Sequence, residues 1–545
     1  MADDPEFDAE LPPAPRHWTQ KRRWRTVVAT VLFLALGLIY VWATREQLAG
    51  NVIQDQLDYY ELEASYDIES IGPQQQVLRN VVIGDPNRPD LTVERVVVDL
   101  RYRLGTPTIG RVVLDMARLY GSYRDGKASF GALDSVIFAP SDASAALPDV
   151  HLDLNDGRAL IETDYGLVGV KAHGAGPLDD GFDGIVAAVA PRLAFDHCET
   201  GQASLYGSVT TAQGEPIFEG PLRLRNLSCL ASGSIGAANI RQADIDVTLS
   251  ADSTLSGVEA ALDMTIRQVA SDYGSGEEIN GDLRFQWRDE LLNGQYNLSV
   301  SEATTSQVSM GSLAAQGSVR VLDDFGRMEL RADLSGSDLA LGDQLDQTLA
   351  GHQTNSANTL FGPLIGKLRD GLKRQQRGST LSGQLTARQT GDVTSVVVPS
   401  AVIRGFGGQE LLSLSRMQFS TAGANGPHIV GNFRTGGEGL PNVRGRMEQR
   451  ASGNLALQLA MAEYREGDNA LAVPQLTVEQ TSDESVQFTG FLSASGDLAG
   501  AFVGDLELPL SGGWSARNGL SVWGKCTTTR FGALQMAGLT LFSAN

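Results

Sequence analysis

Beyond Ile71 the sequence keeps returning to a two-residue period. Val96, Val98, Leu100, Tyr102 and Leu104 alternate with Val97, Asp99, Arg101 and Arg103. The same alternation recurs in Val258, Ala260, Leu262, Met264 and Ile266, and in Leu283, Phe285 and Trp287 set against Arg284, Gln286 and Arg288. It returns in Met328, Leu330, Ala332 and Leu334, in Leu455, Leu457, Leu459 and Met461, and in Leu506, Leu508 and Leu510. Such a pattern puts one face of each strand on an apolar side and the other in water, the habit of antiparallel sheets. Turn signals such as Arg124-Asp125-Gly126, Asn155-Asp156-Gly157 and Gly512-Gly513 separate the strands. Several hundred residues of this kind exceed the roughly 250 to 300 that one core usually serves. The expected fold is therefore mainly β, an elongated sheet or several β domains in a row. The pattern alone leaves open whether the apolar faces line an open groove or close on one another as sandwiches.

The start of the chain has a different character. Lys21-Arg22-Arg23-Trp24-Arg25 is followed by Thr26 to Thr44 without a charge. At about 1.5 Å per residue a helix over that stretch covers roughly 28 Å, close to the ~30 Å hydrocarbon thickness of a bilayer. A cleaved signal peptide has a shorter apolar region and a small-residue cleavage site, and Val41-Trp42-Ala43-Thr44-Arg45 offers no convincing one. An uncleaved transmembrane helix is the expectation. Arg16, Lys21, Arg22, Arg23 and Arg25 precede the span and no Lys or Arg follows Arg45 until Arg79, so the N-terminus is expected in the cytoplasm. The helical signal continues toward residue 70.

One later segment departs from the strand pattern. Thr359 to Gly378 sets Leu360, Leu364, Ile365, Leu368 and Leu372 on one helical face, with Lys367, Asp370, Lys373, Arg374 and Arg377 mainly on the other. A basic amphipathic helix can lie on anionic lipid or cover an exposed sheet.

Composition narrows the function. The chain carries 65 Asp plus Glu against 43 Lys plus Arg, a net charge of -22, so its surface repels nucleic-acid phosphate. The six histidines form no H-E-x-x-H, and there is no G-x-S-x-G and no G-x-x-x-x-G-K. No catalytic residue, metal or cofactor is expected, although scattered carboxylates leave a glycosidase pair open. Of the three cysteines, Cys198 and Cys229 are a candidate disulfide closing a loop of about 30 residues, and Cys526 is left over.

Four regions, Arg79 to Leu100, Asp156 to Leu193, Gly214 to Cys229 and Leu360 to Arg377, taken with the N-terminal anchor, resemble the YdbH-type branch of the AsmA-like proteins. That resemblance implies an inner-membrane protein of Gram-negative bacteria held by one helix, with a curved β-sheet groove extending through the periplasm. It implies phospholipid as cargo and a small outer-membrane lipoprotein as partner at the far end. Family members continue past this chain's last residue, so a truncated or N-terminal portion is expected.

The combined reading is a cytoplasmic tail at 1–25, a transmembrane helix at 26–44, a helical linker at 45–70, a periplasmic β-groove at 71–338, an amphipathic helical segment at 339–378 and a continued groove at 379–545. Candidate groove residues are Val96, Val98, Leu100, Tyr102, Val258, Leu262, Met264, Leu283, Phe285, Trp287, Leu330, Leu457 and Leu508. The competing expectation is a periplasmic assembly factor that binds outer-membrane clients by strand addition.

Overall fold

The computed structural model describes residues 63–544, apart from 73, 104–105, 139–145, 196, 232–235, 323–325, 422–427, 450–453, 481–484, 499, 518 and 525. The expected membrane span at 26–44, its cytoplasmic tail and most of the linker lie outside the described residues. Among the described residues no helix is long and apolar enough to cross a membrane. The protein is mainly β, with short helices α1 (Asp134–Ile137), α2 (Asp343–Asn355) and α3 (Phe361–Gln375). The chain divides into two units, the first made of the residues up to Pro191 with Tyr206–Ile217 and Asp252–Leu255, the second of the remainder.

In the first unit the expected helical linker gives way to a strand by Ala64: Ala64–Ile71 pairs antiparallel with Gln75–Asp85, which pairs in turn with Arg88–Arg103. Serine, tyrosine and isoleucine at alternate positions of this segment suit a pleated edge better than a helix. The expectation of a purely antiparallel sheet also fails here. His151–Thr163 runs parallel to both Thr106–Asp115 and Arg118–Arg124, because a long crossover through α1 separates them.

That crossover supplies a second layer. Phe130, Leu133, Leu147 and Val150 are buried against the sheet and join Ile83, Val93, Val98, Val112, Leu152, Leu178 and Phe182 in one packed core. Two carboxylates hold the turn in place. Asp90 accepts from the Ala132 amide at 2.8 Å, and Asp134 accepts from the Phe130 amide at 2.5 Å.

The second unit is an antiparallel meander from Ala238–Ala251 to Ala501–Ser515 in which each strand pairs with the next. Helices α2 and α3 are inserted between Arg327–Leu341 and Thr380–Thr390, two strands that pair directly with each other. Cys198 and Cys229 form a disulfide, and Cys526 is free and exposed.

Candidate functional site

Register in the second unit converts sequence alternation into a surface. Following the paired residues from strand to strand gives Ile245, Met264, Gly281, Leu298, Ala315, Leu334, Gly383, Ala401, Leu414, Phe433, Gly445, Leu459, Leu476, Gly490 and Leu510. This row crosses every strand of the meander and contains no polar side chain. At about 4.8 Å between neighbouring strands it extends on the order of 65 to 70 Å.

Parallel rows flank it. On one side run Ala243, Ile266, Ile279, Val300, Leu313, Gly336, Leu381, Ile403 and Leu412. On the other run Val247, Leu262, Leu283, Tyr296, Gly317, Ala332 and Leu385, then Leu249, Ala260, Phe285, Gly294, Val319, Leu330, Ala387, Val396 and Phe419. None of these positions is charged.

The face is not sealed. Leu262, Leu283, Phe285, Trp287, Leu298 and Leu334 are half-buried rather than buried. Among the described residues the second unit has one small buried apolar cluster, Leu360, Leu364, Tyr464 and Ala494, against the large core of the first unit. A closed sandwich would bury the middle of such a face almost completely.

Glycines shape the floor. A Cβ at Gly317 would run into the carbonyl oxygen of Arg331 and lie 3.0 Å from the Tyr296 hydroxyl. With only hydrogen there, Tyr296 lies across the adjacent strands and its hydroxyl donates to the Arg331 carbonyl at 2.8 Å. The one phenol in the central rows is thus satisfied by backbone, and burial pushes its pKa up, with the Asp333 charge adding to the effect. A line of left-handed residues marks one border. Gln268, Glu302 and Asp338 hold φ of 54°, 51° and 52° on alternate strands, at points where pairing skips a residue. The register runs through each without a shift, and beyond them Val269 and Met310 are half-buried and Leu339 is buried.

The opposite face is the wet one. Its central row reads Asp246, Asp263, Asp282, Asn297, Gln316, Asp333 and Gln384. Charges there pair among themselves. Arg331 and Arg388 reach Glu329 at 2.6 and 3.2 Å and hold its carboxyl below the usual range, Arg331 contributing most. Asn280 and then Arg267 do the same for Glu278.

Helix α3 sits on the apolar side, not free of the sheet. Leu360 and Leu364 are 1% and 4% exposed and pack with Tyr464, Leu471, Leu492 and Ala494. Leu492 and Ala494 share the side of their strand with Gly490 of the central row. Lys367 donates to the Arg465 carbonyl at 2.5 Å, lies 3.4 Å from the Glu466 carboxylate and stands over the Tyr464 ring. The Tyr464 hydroxyl donates to the Gly439 carbonyl at 2.8 Å, and burial pushes its pKa up to about 12. Arg369 and Lys373 turn instead to Asp346 of α2, while Arg374 and Arg377 are exposed and Ile365, Leu368 and Leu372 half-buried.

The predicted groove residues separate into two groups. Val258, Leu262, Met264, Leu283, Phe285, Trp287, Leu330, Leu457 and Leu508 all fall on the one apolar face. Val96, Val98 and Leu100 do not belong to an open surface: Val98 is 4% exposed, and Val96 and Leu100 pack on the same first-unit core, so the crossover layer has filled that face. The side chain of Tyr102 lies outside the described residues. Sequence reasoning missed Ile245, Leu298, Leu414 and Phe433, although Ala243-Asp244-Ile245-Asp246-Val247-Thr248-Leu249 alternates as cleanly as the runs it used, and it missed the glycines that complete the rows.

A one-sided β meander with a continuous, uncharged and incompletely covered face defines a class of protein that presents apolar surface to something other than its own core. The chain belongs to the YdbH-like family, described as intermembrane phospholipid transport protein YdbH, which matches residues 32–544. No curated protein matches it.

Proposed function

We propose that this protein is anchored in the bacterial inner membrane by residues 26–44, with its N-terminus cytoplasmic, and that its periplasmic β-sheet carries phospholipid between the inner and outer membranes. The observation that carries the reading is the row from Ile245 to Leu510, unbroken by charge and, among the described residues, met by a packed layer only beside its Gly490 end, where α3 lies. Acyl chains moving along it stay out of water, which saves about 0.8 kcal/mol for each methylene kept from solvent, while headgroups remain hydrated. The family description supports phospholipid as the cargo. No step of this passage needs a catalytic residue or a cofactor. A small outer-membrane lipoprotein at the distal end completes the proposed route.

The test is the lipid content of the full chain purified in mild detergent, read by mass spectrometry after extraction. Stoichiometric phospholipid is expected, reduced in Leu262→Asp and Phe285→Asp variants that retain the β circular-dichroism spectrum. Folded wild-type protein free of phospholipid sinks the proposal.

A further inference from the structure

The apolar face already has one occupant, and it is made of this chain. Leu360 and Leu364 of the α3 segment rest on Leu471, Leu492 and Ala494, on the side of the sheet proposed to carry acyl chains. We propose that the α2–α3 insertion is a displaceable cover, and that acyl chains compete with Leu360 and Leu364 for this patch. The inference rests on the lipid-carrying reading and assigns that surface its regulation.

Three features make the cover removable. It leaves from Leu341 and returns at Thr380, on strands that pair with each other, so lifting it breaks no rung of the sheet. Its own helix is weak, although Gly371 lets it approach the Gly439 carbonyl and the Leu360 amide donates to the Asp497 carbonyl at 2.7 Å. Gly362, Gly366 and Gly371 interrupt a helix of 15 residues, each costing helix stability relative to alanine. At its end the Gln375 Oε1 is buried without a hydrogen-bond partner, a standing cost of the docked position. Its latch is also electrostatic in part, because Lys367 reaches the Glu466 carboxylate, the Arg465 carbonyl and the Tyr464 ring at once. Internally the two helices hold together through Arg369 and Asp346, at 2.6 and 2.8 Å, so they can move as one body.

The experiment places the photo-crosslinking residue p-benzoylphenylalanine in the full-length protein in its membrane, at Leu492 beneath α3 or at Leu298 far from it, and counts phospholipid adducts. With the wild-type cover, adducts at Leu298 and few at Leu492 are expected. In Leu364→Asp, or in Lys367→Glu, which sets like charge against Glu466 without touching the buried leucines, the Leu492 yield is expected to rise at least several-fold while Leu298 is unchanged. Equal Leu492 yields with and without these changes, alongside normal Leu298 adducts, overturn the cover and leave the conduit standing. Adducts at neither position overturn the conduit and the cover together. Should Leu364→Asp lose its folded circular-dichroism signal, the Lys367→Glu arm decides.

Discussion

Leu298 and Ser299 sit side by side on the strand Leu291–Thr304 and face opposite ways. Leu298 pairs with Gly281 and Ala315 in the central apolar row, whereas Ser299 pairs with Asn280 and Ala314 and is exposed on the wet face. Replacing each by aspartate puts the same charge at almost the same point of the sheet, on its two sides. Because Leu298 is only half-buried, its loss costs stability about half of the 1.5 to 3 kcal/mol of a fully buried leucine, roughly 1 kcal/mol, and the fold survives. Ser299→Asp gives up one hydrogen bond to the Asn280 carbonyl and costs about the same or less. For cargo the two differ sharply. An acyl chain passing Leu298 loses contact with about three methylene equivalents, near 2.4 kcal/mol, which slows passage roughly 50-fold before any cost of desolvating the carboxylate is added. Transfer of a fluorescent phospholipid between donor and acceptor vesicles bridged by the protein reads the rate. Leu298→Asp is expected to fall to a few per cent of wild type and Ser299→Asp to stay within twofold. Equal rates for the two variants, in either direction, refute the assignment of cargo to the Leu298 side.

Other outcomes follow from particular residues. Glu302 holds a left-handed backbone at φ 51°, so Glu302→Gly is expected to raise the chemical-denaturation midpoint, by an increment of about 1 kcal/mol, while Glu302→Val lowers it. Replacing Cys198 and Cys229 together by serine removes a cross-link spanning 31 residues and is expected to cost about 3 to 4 kcal/mol locally, read as earlier proteolysis of that segment. Arg369, with Lys373 adding to it, holds the Asp346 carboxyl well below the usual carboxylate range. A depressed carboxyl stabilises above its ordinary value and stops doing so only as pH falls through the depressed one. Amide protection of α3, corrected for intrinsic exchange, is therefore expected to be flat from about pH 7 to about pH 4 and to drop in stronger acid. Protection already lost near pH 5 would contradict the pairing.

How far the sequence reveals this depends on the strand. Leu283, Phe285 and Trp287 alternate with Arg284, Gln286 and Arg288, and the structure puts the two sets on opposite faces. Val96, Val98 and Leu100 alternate just as well, yet end in a filled core, because what covers a strand is written elsewhere in the chain, here at Phe130, Leu133 and Leu147. A two-residue period fixes which side is apolar; it does not say whether that side finds a partner. Glycine is the second blind spot. Gly281, Gly317 and Gly445 occupy apolar-row positions where a pattern search records a gap, and only the register shows that Leu298, Tyr296 and Phe433 lie across them. The Thr359 to Gly378 helix was legible as amphipathic, but its periodicity fits a membrane surface and a sheet equally well, and the contacts of Leu360 and Leu364 settle on the sheet.

The contrast between the two units explains why an open face persists in one of them. Burying a sheet face takes a second layer, and a second layer takes chain that is not already in the sheet. The first unit has such chain in the crossover between Lys127–Ser129 and His151–Thr163, and it spends its apolar residues there. In the second unit short turns such as Asp272-Tyr273 and Asp289-Glu290 join successive strands, and turns of this length leave no chain to form a second layer. Among the described residues its helical insertion, α2 and α3, buries apolar side chains only in the patch around Leu360, Leu364, Tyr464 and Ala494, with further backbone approaches at Gly439 and Gly405. A soluble monomer does not usually leave so much contiguous apolar surface to water. Such a surface suits an apolar partner, and with its Tyr296 hydroxyl already given to the Arg331 carbonyl it favours one by greasiness rather than by shape. On the proposed reading acyl chains meet that requirement at every strand alike, as cargo travelling along the surface needs, whereas a client added at a sheet edge would be held by main-chain hydrogen bonds and would make no use of the rows from Ala243 to Phe419.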